Sequence, residues 1–250
     1  MNSLPANSPE WLSKKILDRG GILSFHDFMD IALNDPQNGY YGSGKAKIGK
    51  EGDFVTSPVL SNDFASLLAS QIEDWLIQIE KNINSKEKLT ILEFGAGNGS
   101  LLSGIINHLL NSNHKIIKNI SFKIVELNKG MIKIQKTILE KFLNLDIDIS
   151  WIKLRDIDDD CINGIVIAHE VLDAFPVERI QYKNGALHRQ GVELNKENQT
   201  LKYKNIPISD ILENFIDEIK NELGIVIPPP NAPEEWTTEL NLDNLIWLEN

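Results

Sequence analysis

The stretch Leu89-Thr90-Ile91-Leu92-Glu93-Phe94-Gly95-Ala96-Gly97-Asn98-Gly99-Ser100 decides the fold. Leu89–Phe94 reads as a short apolar strand and Gly95–Gly99 as a tight turn, with a helix following to about Leu110. Glycines let the backbone swing from strand to helix and approach a ligand closely, and the new helix offers free N–H groups at its start. On its own such a turn serves a dinucleotide site or nothing but the fold. The spacing narrows the choice, because G-x-G-x-G lacks the third glycine placement of G-x-G-x-x-G and Glu93 stands just before it. That acid would repel a pyrophosphate and attract a cationic amine.

Downstream the alternation continues. Ile120–Val125 is a second strand, a helix starts at about Asn128, Ile147–Ile152 is a third strand and Gly164–Ala168 a fourth. The fourth is purely apolar and is expected to be buried on both faces. Strands alternating with helices indicate a parallel α/β sheet. Upstream, Ser8-Pro9-Glu10 starts a helix that Gly20-Gly21 stops, and Ser24 caps a second one ending near Asn34-Asp35-Pro36. The runs 38–44 and 49–54 are too glycine-rich for regular structure. Ser61 opens a long helix whose Phe64, Leu67, Leu68, Ile72, Trp75, Leu76 and Ile79 keep the helical period, with Phe64 and Trp75 expected in the core. After Pro176 the pattern turns to β. Val177–Tyr182 and Leu187–Leu194 flank the hairpin signal Asn184-Gly185, and Leu201–Tyr203 adds a third strand. Ser209 caps a helix to about Leu223, Pro228–Pro230 interrupts the chain, and Leu242–Leu248 opens another helix. The reading gives a helical lead-in and loop over 1–87, an α/β core over 88–176, and a hairpin-and-helix insertion over 177–250.

Composition bounds the function. The formal charge is −11 over 250 residues, which argues against a nucleic-acid-binding surface, since phosphate neutralisation needs clustered Lys and Arg. The single cysteine, Cys161, excludes an intramolecular disulfide and a cysteine-based zinc cage; no metal is expected. No apolar run approaches the roughly 18 residues that span a bilayer. The first twenty residues hold no signal-peptide core and no Arg-rich transit pattern, so the expected location is the cytoplasm.

Two further segments carry chemistry. Glu126 ends the second strand, where a carboxylate can accept both hydroxyls of a ribose; the plain alternative is a solvated strand-end acid. The run Ala168-His169-Glu170-Val171-Leu172-Asp173-Ala174-Phe175-Pro176 follows the fourth strand, at the sheet edge where such folds bind ligands. Glu170 and Asp173, three residues apart, would be costly to bury without a partner, and a guanidinium fits them. His169 is read first as a packed or hydrogen-bonded residue and second as a base. Tyr40 and Tyr41 are balanced between packing and substrate contact.

Together with Gly39-Tyr40-Tyr41, Gly52-Asp53-Phe54-Val55-Thr56-Ser57-Pro58 and Thr238-Glu239-Leu240-Asn241, these segments resemble the MidA-type S-adenosylmethionine-dependent methyltransferases. That family includes the mitochondrial complex I assembly arginine methyltransferase. The glycine turn is generic to class I methyltransferases, whereas Gly52–Pro58 combined with Ala168–Pro176 is much more specific. The resemblance implies a Rossmann-like fold with S-adenosyl-L-methionine over Glu93, Gly95, Gly97 and Gly99, its ribose held by Glu126. Phe54, Thr56 and Ser57 would close over the cofactor, and Glu170 and Asp173 would face the acceptor. The acceptor implied is an arginine of a protein, a complex I or NDH-type subunit.

The class I sheet has seven strands, and only four precede the hairpin here; the C-terminal strands are expected to be missing at Asn250, leaving the fourth strand as an apolar edge. Two other functions stay open, an NAD-dependent oxidoreductase and an assembly factor that binds a client without methylating it.

Overall fold

The N-terminal segment alternates strand and helix: β1 (Ser3–Asn7), α1 (Glu10–Asp18), β2 (Ile22–Ser24) and α2 (Phe25–Asn34). Then come α3 (Asn62–Glu80), β3 (Leu89–Phe94), α4 (Ser100–Asn111), β4 (Ile120–Val125), α5 (Lys129–Leu143), β5 (Ile149–Ile152) and β6 (Gly164–Ala168). The chain closes with β7 (Glu178–Lys183), β8 (Ala186–Asn195), β9 (Thr200–Ile206), α6 (Asp210–Leu223) and β10 (Thr237–Leu240). This is a computed structural model, and it describes residues 3–49, 52–53, 62–82, 87–112, 115–158, 161–244 and 247. Two compact units result, residues 34–173 and residues 1–33 joined with 174–250. The boundaries drawn from sequence lay at 87 and 176.

Residues 34–173 hold a parallel sheet in the order β5-β4-β3-β6. Its strands are the apolar runs of the sequence, as expected where a sheet is covered and backbone pairing is satisfied between neighbours. On β3, Leu89, Ile91 and Glu93 share one face, in register with Ile120, Phe122 and Ile124 of β4. That face packs on α3, α4 and α5 in one core built around Ile72, Leu76, Leu102, Ile105, Phe122 and Phe142. Helix α3 enters this core through Ala65, Ala69, Ile72 and Leu76, spaced i, i+4, i+7, i+11. Phe64 and Trp75, expected in the core, fall on the other side and are 36% and 47% exposed. Small residues explain the choice of face: Ala65 lies against Gly104 of α4, a close approach that a bulky stripe would forbid. Strand β6 is also not buried on both faces. Among the described residues it pairs only with β3, and Val166 is 53% exposed while Ile167 is buried.

The other unit is a six-stranded antiparallel sheet, β1-β9-β8-β7-β10, with β2 added to β8. The expected hairpin is present, with Asn184 and Gly185 both at positive φ, as its tight turn requires. The lead-in is not wholly helical, because β1 pairs with β9 and β2 with β8. Thr237–Leu240, not expected as a strand, pairs with β7. Helices α1 and α2 cover the face that carries Val192 and Leu194, and α6 covers the opposite face with Ile180. Ser209 caps α6 by accepting the Leu212 N–H at 3.4 Å, and Gly224 ends it in the left-handed conformation.

A methyl group at Gly104 would lie 2.4 Å from the Ala65 Cβ. Alanine ordinarily stabilises a helix interior over glycine by about 1 kcal/mol, but overpacking costs about 1–3 kcal/mol. Gly104→Ala is therefore expected to lower the urea midpoint, and Ala65→Gly in the same chain to restore part of it, as followed by circular dichroism.

Candidate functional site

Parallel register brings three strand ends to one edge. Phe94 pairs with Val125 on one side and Ala168 on the other, so the chain leaves β3, β4 and β6 at the same level. From there run the glycine turn, the segment Glu126-Leu127-Asn128 and the segment His169–Asp173. The turn is tight: the Gly97 N–H donates to the Gly95 carbonyl at 2.7 Å and the Gly99 N–H to the Ala96 carbonyl at 2.8 Å. Gly97 has φ +53°, and a Cβ there would stand 3.3 Å from Ile48 Cδ1. A side chain at 97 is thus disfavoured by backbone conformation and by space. An open cleft of about 460 Å³ borders the turn at Asn98, lined by Ile48, Gly52, Ile134 and Ile138.

The carboxylates at this edge lie in three different surroundings. Glu93 is only 3% exposed, flanked in register by Ile124 and Ile167, and its Oε2 is buried without a hydrogen-bond partner. Burial pushes its carboxyl up to about 8 from the usual 4.5. Glu126 is also raised by burial, but against that pull stand the Asn128 and Leu127 N–H groups and the Gln135 amide. Its Oε1 accepts from Asn128 N at 2.9 Å and its Oε2 from Gln135 Nε2 at 3.0 Å. These donors pin the carboxylate without exhausting its four lone-pair sites. Glu170 and Asp173 are exposed, so the expected cost of burying them does not arise in this structure. Glu170 sits at φ +51°, a conformation that costs a non-glycine residue about 1–2 kcal/mol.

The lead-in loop closes one side. Gly130 of α5 touches it so closely that a Cβ would come within 2.1 Å of Gly44 N, and the Gly130 N–H donates to the Gly42 carbonyl at 3.2 Å. Tyr40 donates to Asp53 Oδ2 at 2.7 Å, and its hydroxyl is pushed up to about 12, first by burial and then by that bond. The Tyr41 hydroxyl is raised by burial first, then by the charges of Asp173 and Glu126, which places it among the carboxylates of the edge. His169 packs on Phe64, ring centroids 6.0 Å apart. Phe54, Thr56 and Ser57 lie outside the described residues.

Residues 67–250 match the family described as "Putative S-adenosyl-L-methionine-dependent methyltransferase". The chain belongs to this methyltransferase family. S-adenosyl-L-methionine is the cofactor of the family. The mitochondrial protein arginine methyltransferase NDUFAF7 of Bos taurus is 28% identical over 181 residues, 64% of this chain and 39% of the relative. Its human counterpart is 25% identical over 228 residues, 82% of this chain and 50% of the relative. A superfamily member from Burkholderia thailandensis, solved with S-adenosyl-homocysteine, superposes with a TM-score of 0.71 at 24% identity, over 98% of this chain and 61% of its own. That likeness establishes the Rossmann-like class I methyltransferase fold. The chain spans about half the length of the curated relatives it matches.

Two residues of the edge escaped the sequence reading. Gln135 is fully buried, and its Nε2 bonds both the Gly97 carbonyl, at 2.9 Å, and Glu126. Trp151 of β5 donates its indole N–H to Gln135 Oε1 at 2.9 Å. The available signal was a glutamine on the stripe Met131, Gln135, Leu139, Phe142, a polar residue where the helix faces the core. Among the described residues no His, Cys, Asp or Glu cluster suits a metal ion, and no helix is long and apolar enough to cross a membrane.

The raised Glu93 carboxyl couples stability to pH. Between about 4.5 and about 8 the unfolded chain has released this proton and the folded chain keeps it. The contribution is therefore full below 4.5 and is lost as pH rises through 8, at up to about 1.4 kcal/mol per pH unit. Glu93→Gln removes this dependence. Urea unfolding at about pH 5 and about pH 8 is expected to show the variant gaining on the wild type at the higher value.

Proposed function

We propose that the chain carries the cofactor-binding part of an S-adenosyl-L-methionine-dependent methyltransferase whose acceptor is an arginine side chain of a protein. The observation that carries this reading is the company of two unlike carboxyls at one glycine turn. Glu93 keeps a buried oxygen without a partner beside the turn, and Glu126 is held by directed donors at the end of the next strand. The first suits the ammonium of the cofactor's methionine moiety, and the second suits the ribose hydroxyls. Gly95, Gly97 and Gly99 leave the backbone free of Cβ atoms where the cofactor would lie against it. Phe54, Thr56 and Ser57 are proposed to complete the cover.

When bound, the cofactor supplies an electrophilic methyl group on a sulfonium. The protein's part is to aim a nucleophile along the line of that bond at about 3–3.5 Å. An arginine nitrogen is a poor nucleophile because the guanidinium stays protonated. Glu170 and Asp173, at the end of β6, are proposed to clamp one side of it, concentrating charge there and leaving one nitrogen directed at the methyl group. The strained backbone at Glu170 favours this role, since such conformations persist at sites where a side chain must be aimed. The arginine-methyltransferase names of the relatives support the acceptor class, and the family resemblance supports a complex I or NDH-type subunit as its bearer.

Isothermal titration with S-adenosyl-L-methionine and with S-adenosyl-homocysteine tests the cofactor half. Micromolar binding is expected, lost in Gly97→Val; a folded chain that binds neither refutes it. For the acceptor half, Glu170→Gln and Asp173→Asn are expected to keep cofactor affinity while lowering methyl transfer to arginine peptides by about 10²-fold or more. Weakened cofactor binding with unchanged turnover at saturation would refute that assignment.

A further inference from the structure

Gln135 stands at the crossing of three elements. Its side chain is wholly buried on α5, yet it reaches the turn after β3, the acid after β4 and the indole of β5. The amide can sit only one way round. An indole N–H is a donor and nothing else, so it must meet the amide oxygen. That fixes the amide nitrogen toward its other two neighbours, the Gly97 carbonyl and Glu126 Oε2, both of which are acceptors. Rotating the amide by half a turn would set N–H against N–H at Trp151 and oxygen against oxygen twice. Trp151 is itself held by its place on β5, in register with Ile124. The other carboxylate oxygen of Glu126 is held by the Asn128 N–H, and the Asn128 side chain donates to Asn34 Oδ1 at 3.1 Å. Glu126 is thereby clamped at both oxygens, and the plane of its carboxylate is set before any ligand arrives. Gly99 shares the same buttress, because a Cβ there would meet the Gln135 side chain at 3.7 Å.

We infer that Gln135, oriented by Trp151, is a positioning residue that fixes the Glu126 carboxylate for a vicinal diol and ties it to the Gly97 backbone. The assignment rests on the cofactor reading given above. It extends that reading from the residues that touch the ligand to the buried amide that aims one of them. Such an amide contributes to affinity only through what Glu126 does: a ligand lacking the hydroxyl gains nothing from a carboxylate held in place. A residue that merely supports the fold would weaken all ligands alike.

The test is a cycle in residue and ligand. S-adenosyl-homocysteine and its 2′-deoxyribose analogue are titrated by calorimetry into the wild type and into Gln135→Met, which keeps the side-chain length and removes both donors. The wild type is expected to prefer the hydroxylated ligand by about tenfold or more, and Gln135→Met to lose most of that preference while binding the deoxy analogue nearly as before. Trp151→Phe, which releases the amide, is expected to move the preference the same way by less. The double variant Gln135→Met/Trp151→Phe leaves no indole donor stranded, and it serves if the single variant does not fold. An equal loss for both ligands, or no loss for either, overturns the assignment while leaving the cofactor site intact. A wild type that binds neither ligand removes the cofactor reading and this assignment with it.

Discussion

Parallel pairing of β3 with β4 on one side and β6 on the other is the constraint on which the candidate site depends. Because Phe94 meets both Val125 and Ala168, three chain segments leave the sheet at the same height. Residues separated by more than seventy positions in sequence, Glu93 and Glu170 at the extremes, are thereby gathered at one edge. Helices α3, α4 and α5 pack on one face of this sheet, and their contribution is to hold the strands in that register. A slip of one residue in either pairing would turn each strand's apolar set away from the core and move the edge residues to the wrong face.

How each acidic group is treated by its surroundings then separates their roles. Glu93 faces isoleucines and has an oxygen with no partner, so it favours the neutral form until a cation is offered. Glu126 is buried too, but directed donors offset much of the desolvation and confine it to one orientation. Glu170 and Asp173 stand exposed to solvent, open to whatever approaches from outside. One residue type thus occupies a dry, a wired and a wet position within a single strand-edge cluster.

Much of this was legible in the amino-acid sequence, and the rest was not for definite reasons. The bounds of β3 and β4 coincide with apolar runs because covered parallel strands leave little room for polar residues, and those of β6 coincide with one although that strand is part exposed. The glycine turn and Glu126 were legible because they follow directly from those runs. Strands β1, β2 and β10 were not, since they are short and owe their conformation to partners supplied by distant backbone. On α3, Ile72 and Leu76 of the apolar stripe do reach the core, whereas Phe64 and Trp75 do not, because size helped choose the face: Ala65 can lie against Gly104. Gln135 was missed because its partners Gly97, Glu126 and Trp151 are local to nothing but the folded sheet.

The pairing of β1 with β9 and of β2 with β8 has a consequence for biosynthesis. Strand β2 takes its place beside Gly191–Glu193 of β8, and Ser3 of β1 pairs with Lys202 of β9, so both strands find their sheet partners only far along the chain. At translation rates of about 5–20 residues per second the wait is roughly ten to thirty seconds. Residues 34–173, by contrast, contain every described strand of the parallel sheet and can begin to pair meanwhile. The nascent chain therefore carries two unmatched strands, β1 and β2, and the helices α1 and α2 while the strands within residues 34–173 can already pair. That order of events makes residues 3–34, rather than the parallel sheet, the part of the polypeptide that a chaperone has most reason to shelter.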